Sequence, residues 1–212
     1  MALLKPGTKS RHRSKSLSCL NRSGVSRFGA WLILLSPLLL AGTDSRSESS
    51  RIDLSRESQL KAVFLFNFAQ FTDWPPEAFE DKTSPLVIGI VGTDPFGDFL
   101  DETVKNELVR GRRIRIERYQ KLAQVRNWHI MYIGFADPER VDQVLRSLKG
   151  KPVLTVSDTE NSPRRNGIII KFLTKQNKIR FTINAEAARE ARLVLSSKLL
   201  HAADEVIGPD KK

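Results

Sequence analysis

The uninterrupted apolar run of residues 86–91, LVIGIV, constrains the fold more than any other segment of the chain. Successive side chains of a strand point to opposite faces of the sheet, so a strand that is apolar throughout must be covered on both faces. Residues 129–133 and 152–156 are short, mainly apolar segments of the same kind. The sequence therefore predicts the central strands of a sheet that has helices on both faces.

Helices are predicted between these strands. Thr93 or Asp94 can cap a helix that extends to about Asn106, because a short polar side chain accepts hydrogen bonds from the first free amides of a helix. Asp137 and Pro138 begin another helix, since proline is tolerated in the first helical turn. Strands that alternate with helices in this way form right-handed parallel βαβ units.

The remaining segments predict an edge strand, a hairpin and a last helix. Residues 113–117 alternate between charged and apolar side chains, as a half-exposed edge strand does. Residues 167–173 and 178–183 are predicted to pair as an antiparallel hairpin, and Asn184 caps a helix that continues to Leu199. The predicted fold is an α/β three-layer sandwich with a mixed, mostly parallel sheet, a C-terminal antiparallel hairpin and flanking helices.

The first helix of the domain carries the broadest apolar surface. Its apolar residues are Leu60, Val63, Phe64, Leu65, Phe66, Phe68 and Phe71. They cover more than one side of a helix, and Pro75 and Pro76 end it because proline disfavours helix in the residue before it. Such a helix has to be covered by the domain, by a partner or by both.

The N-terminal segment has the layout of a signal peptide. Residues 1–27 are basic without an acidic residue, and residues 28–40 are apolar and lead to Ala41 and Gly42. The apolar run is shorter than the roughly 20 residues of a membrane-spanning helix. We therefore expect a signal peptide over residues 1–42, cleavage near Ala41 or Gly42, and export to the periplasm.

The rest of the chain divides into three parts. Residues 43–57 are polar and rich in serine, which predicts a flexible mature N-terminus because they cannot bury enough apolar surface to offset the loss of chain entropy. Residues 58–206 are expected to form one α/β domain, and residues 207–212 a disordered tail.

Charge and cysteine content exclude two classes of function. The leader contains seven of the 35 basic residues and none of the acidic ones, which leaves 28 basic against 24 acidic residues and a net charge of +4. This mild charge does not predict nucleic-acid binding, which needs a concentrated basic face. The one cysteine, Cys19, lies in the leader, so the mature chain is expected to have neither a disulfide nor thiol chemistry.

Catalytic and metal-binding motifs are weak. The histidines downstream of the leader are His129, inside an apolar strand and read as a core residue, and His201, at the end of the last helix. Ser157 and Asp158 follow a strand but lack the glycine-flanked elbow of a hydrolase nucleophile. The residue inventory favours a binding protein over an enzyme and implies no metal and no cofactor.

Two groups of residues are candidates for binding. Ligands of open α/β sheets bind beyond the carboxyl ends of parallel strands, and a small-solute crevice there would use Thr93, Asp94, Phe96, Ser157 and Asp158. A partner-binding cluster at the end of the first helix would use Phe68, Phe71, Trp74, Pro75 and Phe79. The alternative for the second group is a small core beneath the following loop, because aromatic side chains suit both roles.

Four segments together carry a resemblance to a known family. They are KAVFLFNFAQFTDWP at 61–75, LVIGIVGTDPFG at 86–97, PVLTVSD at 152–158 and INAEAAREARLVLSSKLLHAA at 183–203. In this order and spacing the chain resembles the YfiR-like family of periplasmic proteins. Trp128 stands where relatives often have a cysteine before the histidine, which argues against redox control by a disulfide in this chain.

The resemblance implies a regulatory function without catalysis. A protein of this kind would bind the periplasmic domain of an inner-membrane diguanylate cyclase and repress it, which lowers cyclic di-GMP and restrains biofilm formation. The resemblance also implies a homodimer. The alternative from another class is a periplasmic solute-binding sensor that serves transport or signalling and uses the crevice near Asp94 and Asp158.

Overall fold

The structure is a computed structural model that describes residues 45–119, 128–159, 167–176 and 178–208. The predicted signal peptide over residues 1–42 lies outside the described residues, as does most of the predicted tail. In the part of the chain that is described, none of the helices combines the length and the apolar character that a membrane span requires.

Five α-helices and one short 3₁₀ helix are described. The helices are α1 Ser45–Gln70, α2 Asp98–Val104, α3 Pro138–Leu148, α4 Ala185–Glu190 and α5 Ser197–Ala202, and the 3₁₀ helix is Pro76–Ala78. Asp137 caps α3 through its side chain, which accepts from the amide of Glu139, and Pro138 occupies the first turn as predicted.

The strands form one large sheet and a two-stranded ribbon. They are β1 Thr72–Asp73, β2 Leu86–Gly92, β3 Leu108–Val109, β4 Arg112–Tyr119, β5 Ile130–Gly134, β6 Leu154–Ser157, β7 Ile170–Lys175, β8 Lys178–Asn184, β9 Val194–Leu195 and β10 Glu205–Ile207. The large sheet has the order β10-β8-β7-β6-β5-β2-β4-β3, and β1 pairs with β9 in the ribbon. Strands β4, β2, β5, β6 and β7 run parallel, while β8 pairs antiparallel with β7.

The predicted three-layer sandwich is confirmed by the core. Within β2, Ile88 and Ile90 pack with α1, α2, α4 and α5 on one face of the sheet. Val87 and Val91 point to the other face, where Val141 and Val144 of α3 cover them. The strand β2 is therefore apolar throughout because both of its faces are covered.

The edge strand and the hairpin are also confirmed. Along β4 the exposed charged residues alternate with less exposed apolar ones, and only the short strand β3 pairs with its outer side. In the hairpin Phe172 lies opposite Phe181, and both side chains enter the core. The sequence pattern did not predict β3 or β10, which are too short to show a period.

The helix α1 begins earlier than the sequence suggested. It starts at Ser45, inside the segment of residues 43–57 that we predicted to be flexible. The stretch between Thr43 and Gln70 contains neither proline nor glycine to stop a helix. Glu57 and Lys61 also form an i,i+4 ion pair of 2.7 Å, which favours the helical conformation across the predicted boundary.

The predicted last helix is wrong in its extent. Asn184 caps a helix as expected, because its side chain accepts from the amide of Ala187, but α4 ends at Glu190. Arg192 adopts a positive φ of 57°, and residues 194–195 then extend to pair with β1. Ser196 caps a second helix, α5, by accepting from the amide of Leu199.

The helix α2 begins later and ends earlier than the sequence predicted. Asp94 does not cap it, because its carboxylate accepts hydrogen bonds from the amides of Phe96, at 2.7 Å, and Gly97, at 3.3 Å, and so closes a turn before the helix. The helix then begins at Asp98 and ends at Val104, short of Asn106.

Candidate functional site

A cleft opens at the carboxyl ends of β2, β5 and β6, where the sequence predicted a binding crevice. Its volume is about 340 Å³, and its lining residues are Thr93, Pro95, Tyr132, Gly134, Ala136, Asp158 and Thr159. Of the residues predicted to bind a solute, Thr93 and Asp158 line this cleft.

Phe96 and Ser157 do not line the cleft, which corrects part of the prediction. Phe96 is buried in the core, where its ring lies edge-on to Tyr132 with 4.7 Å between the centroids. Ser157 has no exposed surface, and its hydroxyl donates to the carbonyl of Ile133 at 2.8 Å. Phe96 belongs to the turn between β2 and α2, which buries its ring in the core, whereas Ser157 is the last residue of β6 and its hydroxyl is held by the neighbouring strand.

Asp94 contributes to the rim of this edge through a charge network. Its second carboxylate oxygen accepts from Nε of Arg118 at 2.7 Å, and Arg118 also donates to the carbonyl of Gly97 at 2.9 Å. Hydrogen bonds to Asp101 and then to Asp94 raise the pKa of Arg118. The network ties the strand β4 to the turn that precedes α2, and Asp94 is engaged in it from both oxygens.

The most buried charged group of the site is Lys61 on α1. Only 6% of the residue is exposed, and its Nζ lies 2.7 Å from a carboxylate oxygen of Glu57 and 2.8 Å from one of Asp158. Burial lowers the pKa of Lys61, but the hydrogen bonds and charges of Asp158 and Glu57 outweigh this effect and raise it. Lys61 therefore stays protonated and joins α1 to the end of β6.

Asp158 also binds Tyr132 and lies between two clefts. Burial and the neighbouring charge and hydrogen bond of Asp158 raise the pKa of the Tyr132 hydroxyl, which stays protonated. A second cleft of about 460 Å³ lies on the other side of Asp158 and is lined by Glu57, Lys61 and residues 171–175. Asp158 thus lines both clefts, and its ion pair with Lys61 lies in the second.

The chemistry available here is recognition by hydrogen bonds and charge. Asp158 and Asp94 each face a cation of the protein, and the hydroxyl of Ser157 is fixed to the backbone. In the described part of the chain, no three side chains of His, Cys, Asp or Glu come together in a way that could hold a metal ion.

The aromatic cluster predicted to bind a partner is divided between core and surface. Phe68 is completely buried and stacks among Phe64, Phe172 and Phe181, so its side chain belongs to the core. Phe71, Trp74, Pro75 and Phe79 are half-buried. Phe68 therefore belongs to the small core, and partner binding stays a prediction for the four half-buried residues.

Trp74 and Phe79 pack around His129. The indole Nε1 of Trp74 donates to the carbonyl of His129 at 3.0 Å. The ring of Phe79 stacks on the imidazole with 4.2 Å between the centroids, and the guanidinium of Arg112 lies 3.8 Å from the centre of the Phe79 ring. The reading of His129 as a core residue is confirmed, because the residue is 2% exposed and both of its ring nitrogens have backbone partners.

Sequence reasoning missed three features of this region. Lys61 stands inside an otherwise apolar helical stripe, and that interruption is a signal that a buried partner exists. Tyr132 gave no signal, because a tyrosine in an apolar strand reads as core. Leu60 and Val63 remain 43% and 44% exposed although they belong to the apolar surface of the first helix.

Comparison with protein families gives one match. The model of a family described as YfiR/HmsC-like matches residues 58–204, which include α1 from its middle, the whole sheet up to β8, and both clefts. The resemblance drawn from the four sequence segments is thereby confirmed.

Proposed function

This chain belongs to the YfiR/HmsC-like family, and from that premise we propose that it is a periplasmic regulatory protein that represses an inner-membrane diguanylate cyclase by direct contact. Repression would lower cyclic di-GMP and restrain biofilm formation. The observation that carries the proposal is the family match, which extends over residues 58–204 and so covers nearly the whole folded domain. The regulator needs no chemical step.

The ion pairs among the polar side chains favour binding over catalysis. The ionisable groups at the carboxyl edge, Lys61, Asp94, Arg118 and Asp158, are neutralised by one another or by neighbouring residues. A catalytic acid, base or nucleophile has to meet its substrate with its reactive atom available. Groups that are already paired in this way suit a structural role.

The helix α1 supplies the proposed contact surface. Its buried face packs on the sheet through Ala62, Leu65 and Phe68, whereas Leu60 and Val63 lie three residues apart on the opposite face and remain accessible. Apolar side chains that are clustered on one exposed helical face mark a protein contact more often than isolated ones do. We therefore place the partner on this face of α1.

The loop after α1 extends the proposed surface. Pro76 and Glu77 are exposed, and the half-buried Trp74 and Pro75 lie beside them in the chain. Rigid aromatic and proline side chains lose little conformational entropy on binding, which favours them in interfaces. Phe68 is left out of this surface because it is completely buried.

Localisation and assembly follow from the same proposal. A periplasmic regulator has to be exported, and residues 1–42 are the proposed signal peptide that would do this. The partner would be the periplasmic domain of the cyclase or of a related sensor protein. We further propose that the protein acts as a homodimer.

The test is a cyclase assay in cells with a matched pair of variants. The full chain is expressed in a strain of its own host that lacks the gene, and intracellular cyclic di-GMP is measured for wild type, Leu60→Asp/Val63→Asp and Val206→Asp. Val206 is the control because it is an apolar residue of nearly equal exposure, 41%, on the terminal strand β10. Circular dichroism and export are checked for each variant.

We expect wild type and Val206→Asp to lower cyclic di-GMP, and the α1 variant to lose this effect while folding and export are retained. Affinity capture from solubilised membranes should then recover a cyclase with wild type and not with the α1 variant. If wild type leaves cyclic di-GMP unchanged, the regulatory function is refuted. If the α1 variant represses normally, the position of the surface is wrong.

We propose a solute-binding sensor as the second candidate, on the basis of the cleft of about 340 Å³ beside Thr93, Tyr132 and Asp158. Clefts of roughly 300–1,000 Å³ suit small ligands. Native mass spectrometry of the exported protein would test it. A retained molecule that is lost in Asp158→Asn supports the sensor, and an unliganded mass after gentle purification argues against it.

A further inference from the structure

The imidazole of His129 holds two separate segments of backbone. Its Nδ1 accepts a hydrogen bond from the amide of Val87 at 3.0 Å, and its Nε2 lies 3.1 Å from the carbonyl of Ala78. A carbonyl only accepts, so Nε2 carries the proton and the ring is neutral. The imidazole therefore joins the start of β2 to the 3₁₀ turn that lies upstream of it in the chain.

The same ring supports the rest of the loop of residues 74–85. Phe79 stacks between the imidazole and the guanidinium of Arg112. Arg112 in turn donates to the carbonyls of Asp81, at 2.9 Å, and Ser84, at 2.7 Å. His129 and Arg112 together therefore fix the loop from its 3₁₀ turn to Ser84, and Trp74 is attached to the carbonyl of His129 at its beginning.

A proton on Nδ1 is incompatible with this arrangement. It would convert the acceptor of the Val87 amide into a donor, so that two N–H groups would face each other in a buried site. Burial, opposed by the bond to Ala78 and assisted by the positive charge of Arg112, lowers the pKa of His129 to about 4. A charged imidazole would have to turn away from the Val87 amide, and the loop that packs on the ring through Ala78 and Phe79 would then lose this attachment.

The other charged groups around the ring do not offset this effect. Strands β2 and β6 contain no ionisable residue, and β4 brings Arg112. In the loop, Glu77 pairs with Arg192 at 3.0 Å, and the carboxylate of Asp81 accepts from Thr83 and Ser84. Glu80 and Lys82 are exposed to solvent. Among the residues that the structure describes, the formal charge beside the imidazole is thus a positive one.

We infer that residues 74–85 form an acid-released loop, which His129 holds closed when it is neutral and releases when it is protonated. In the open state the imidazole is hydrated and regains its ordinary pKa of 6.5. Because the open state then binds the proton more tightly, the equilibrium constant for opening rises by about 20-fold between pH 7 and pH 5. Above pH 7 the loop stays closed, since neither state is protonated.

The inference extends the proposed function, although its test does not depend on it. The released loop carries Trp74 and Pro75 of the proposed contact surface, so acid would alter that surface. In a compartment whose pH follows the surroundings, this would make partner binding sensitive to acid. Loop release is measured on the isolated protein, so it can be refuted while the regulatory function stands, and the reverse also holds.

Amide hydrogen exchange of the full-length exported protein tests the inference. The reporters are the amides of Val87, Ala78 and Phe79, because their hydrogen bonds belong to the loop and its attachment. Protection factors, corrected for the intrinsic effect of pH, are compared at pH 7 and pH 5. The amides of the hairpin β7–β8 serve as the reference for global unfolding.

The variant His129→Asn keeps a side-chain oxygen that can accept from Val87 but does not titrate. We expect protection of the reporters to fall by about 20-fold in wild type at pH 5 while the hairpin is unchanged. The fall should be absent in His129→Asn and present in the control His201→Asn, whose imidazole lies on the exposed surface. Equal protection at both pH values, or a fall in step with the hairpin, would overturn the inference.

A second variant keeps the test decisive if His129→Asn does not fold. Arg112→Gln removes the positive charge that disfavours the imidazolium; because it also removes the bonds to Asp81 and Ser84, the readout is the pH midpoint and not the absolute protection. The NMR titration of the His129 ring protons should then move to higher pH than in wild type, and the reporters should lose protection at that higher pH. A titration that does not move, or a loop that opens without following it, contradicts the acid-released loop.

Discussion

The ammonium of Lys61 lies 2.8 Å from the carboxylate of Asp158, so the middle of α1 is joined to the end of β6 across 97 residues of chain. The side chain of Lys61 is 8% exposed, and that of Asp158 is 28% exposed. Since a buried ammonium without a partner is costly, this ion pair determines where α1 can sit on the sheet. Asp158 also lines both clefts described above.

Loss of this ion pair should destabilise the protein. Asp158→Asn leaves Lys61 with Glu57 as its remaining charged partner, and we expect unfolding free energy to fall by about 2 kcal/mol. Urea denaturation with a double-mutant cycle measures the effect. Adding Lys61→Met to Asp158→Asn should cost less than the sum of the single variants, because the buried charge is then gone.

The control for that cycle is an exposed ion pair. Lys105 and Glu102 lie 3.5 Å apart, and both side chains are more than half exposed. Lys105→Met should change the unfolding free energy by no more than about 0.5 kcal/mol. If Asp158→Asn were equally mild, the Lys61–Asp158 pair would not position α1.

The position of Gly134 should not tolerate a side chain. A Cβ atom at this position would overlap the carbonyl oxygen of Thr93, which belongs to the backbone and cannot rotate away. We expect Gly134→Ala to lower the unfolding free energy by about 1 to 3 kcal/mol, as overpacking does. Thermal denaturation is a sufficient measurement.

Gly208→Ala is the matched control, because no atom lies within 4 Å of the Cβ position there. It should leave the melting temperature unchanged. An unchanged melting temperature for Gly134→Ala as well would mean that the loop after β2 moves freely, and the cleft beside it would then not be a preformed site.

The division of the predicted last helix can be tested by the sign of one substitution. Ser196 caps α5, so Ser196→Ala should lower the unfolding free energy by about 1 kcal/mol. In one continuous helix Ser196 would be an interior residue, and alanine, the best helix former, would stabilise it. Asn184→Ala, at the cap of α4, should show a similar loss and serves as the positive control.

Trp74 has both a structural and a proposed binding role, and two substitutions separate them. Trp74→Ala should destabilise the fold by about 2 kcal/mol, since it leaves a space beside the core, and should also weaken regulation of the partner. Trp74→Phe keeps an aromatic ring but loses the bond to the carbonyl of His129. That carbonyl still accepts from Leu154, so the cost should stay near or below about 1 kcal/mol.

The readouts for Trp74 are urea denaturation and intracellular cyclic di-GMP. Weakened repression by a stably folded Trp74→Phe would support a contact role for the indole. Normal repression by Trp74→Phe, together with poor folding of Trp74→Ala, would assign Trp74 to the core alone and remove it from the proposed surface.

Much of the fold could be predicted because several segments carry a period. The run of β2, the alternation of β4 and the hairpin β7–β8 were all recognisable, since burial on two faces, on one face or in a pair each leaves a pattern in the sequence. The boundary of α1 and the break between α4 and α5 were not. The break depends on the pairing of β1 with β9, which are distant in the chain. The start of α1 was missed because the polar composition of residues 43–57 was weighed above their lack of helix-breaking residues.

The sequence predicted where the candidate cleft lies, but not all of the residues that line it. The topology of the sheet predicts that ligands bind at the carboxyl ends of β2 and β6. Thr93 and Asp158 do line a cleft there. Phe96, in the turn after β2, and Ser157, the last residue of β6, are buried instead. The direction of one side chain at the end of a strand depends on local backbone angles, which residue identity does not specify.

The sequence by itself determined the α/β class, the apolar strands of the core and the family, because these depend on residue type and short-range period. Only the tertiary structure decided which residues of the apolar helix face outward, since Leu60 and Leu65 are equally apolar but the sheet covers only Leu65. The tertiary structure also decided that Lys61 is buried and that His129 holds the loop of residues 74–85. Those outcomes arise from contacts between distant segments, whose free energy appears only when the chain has folded.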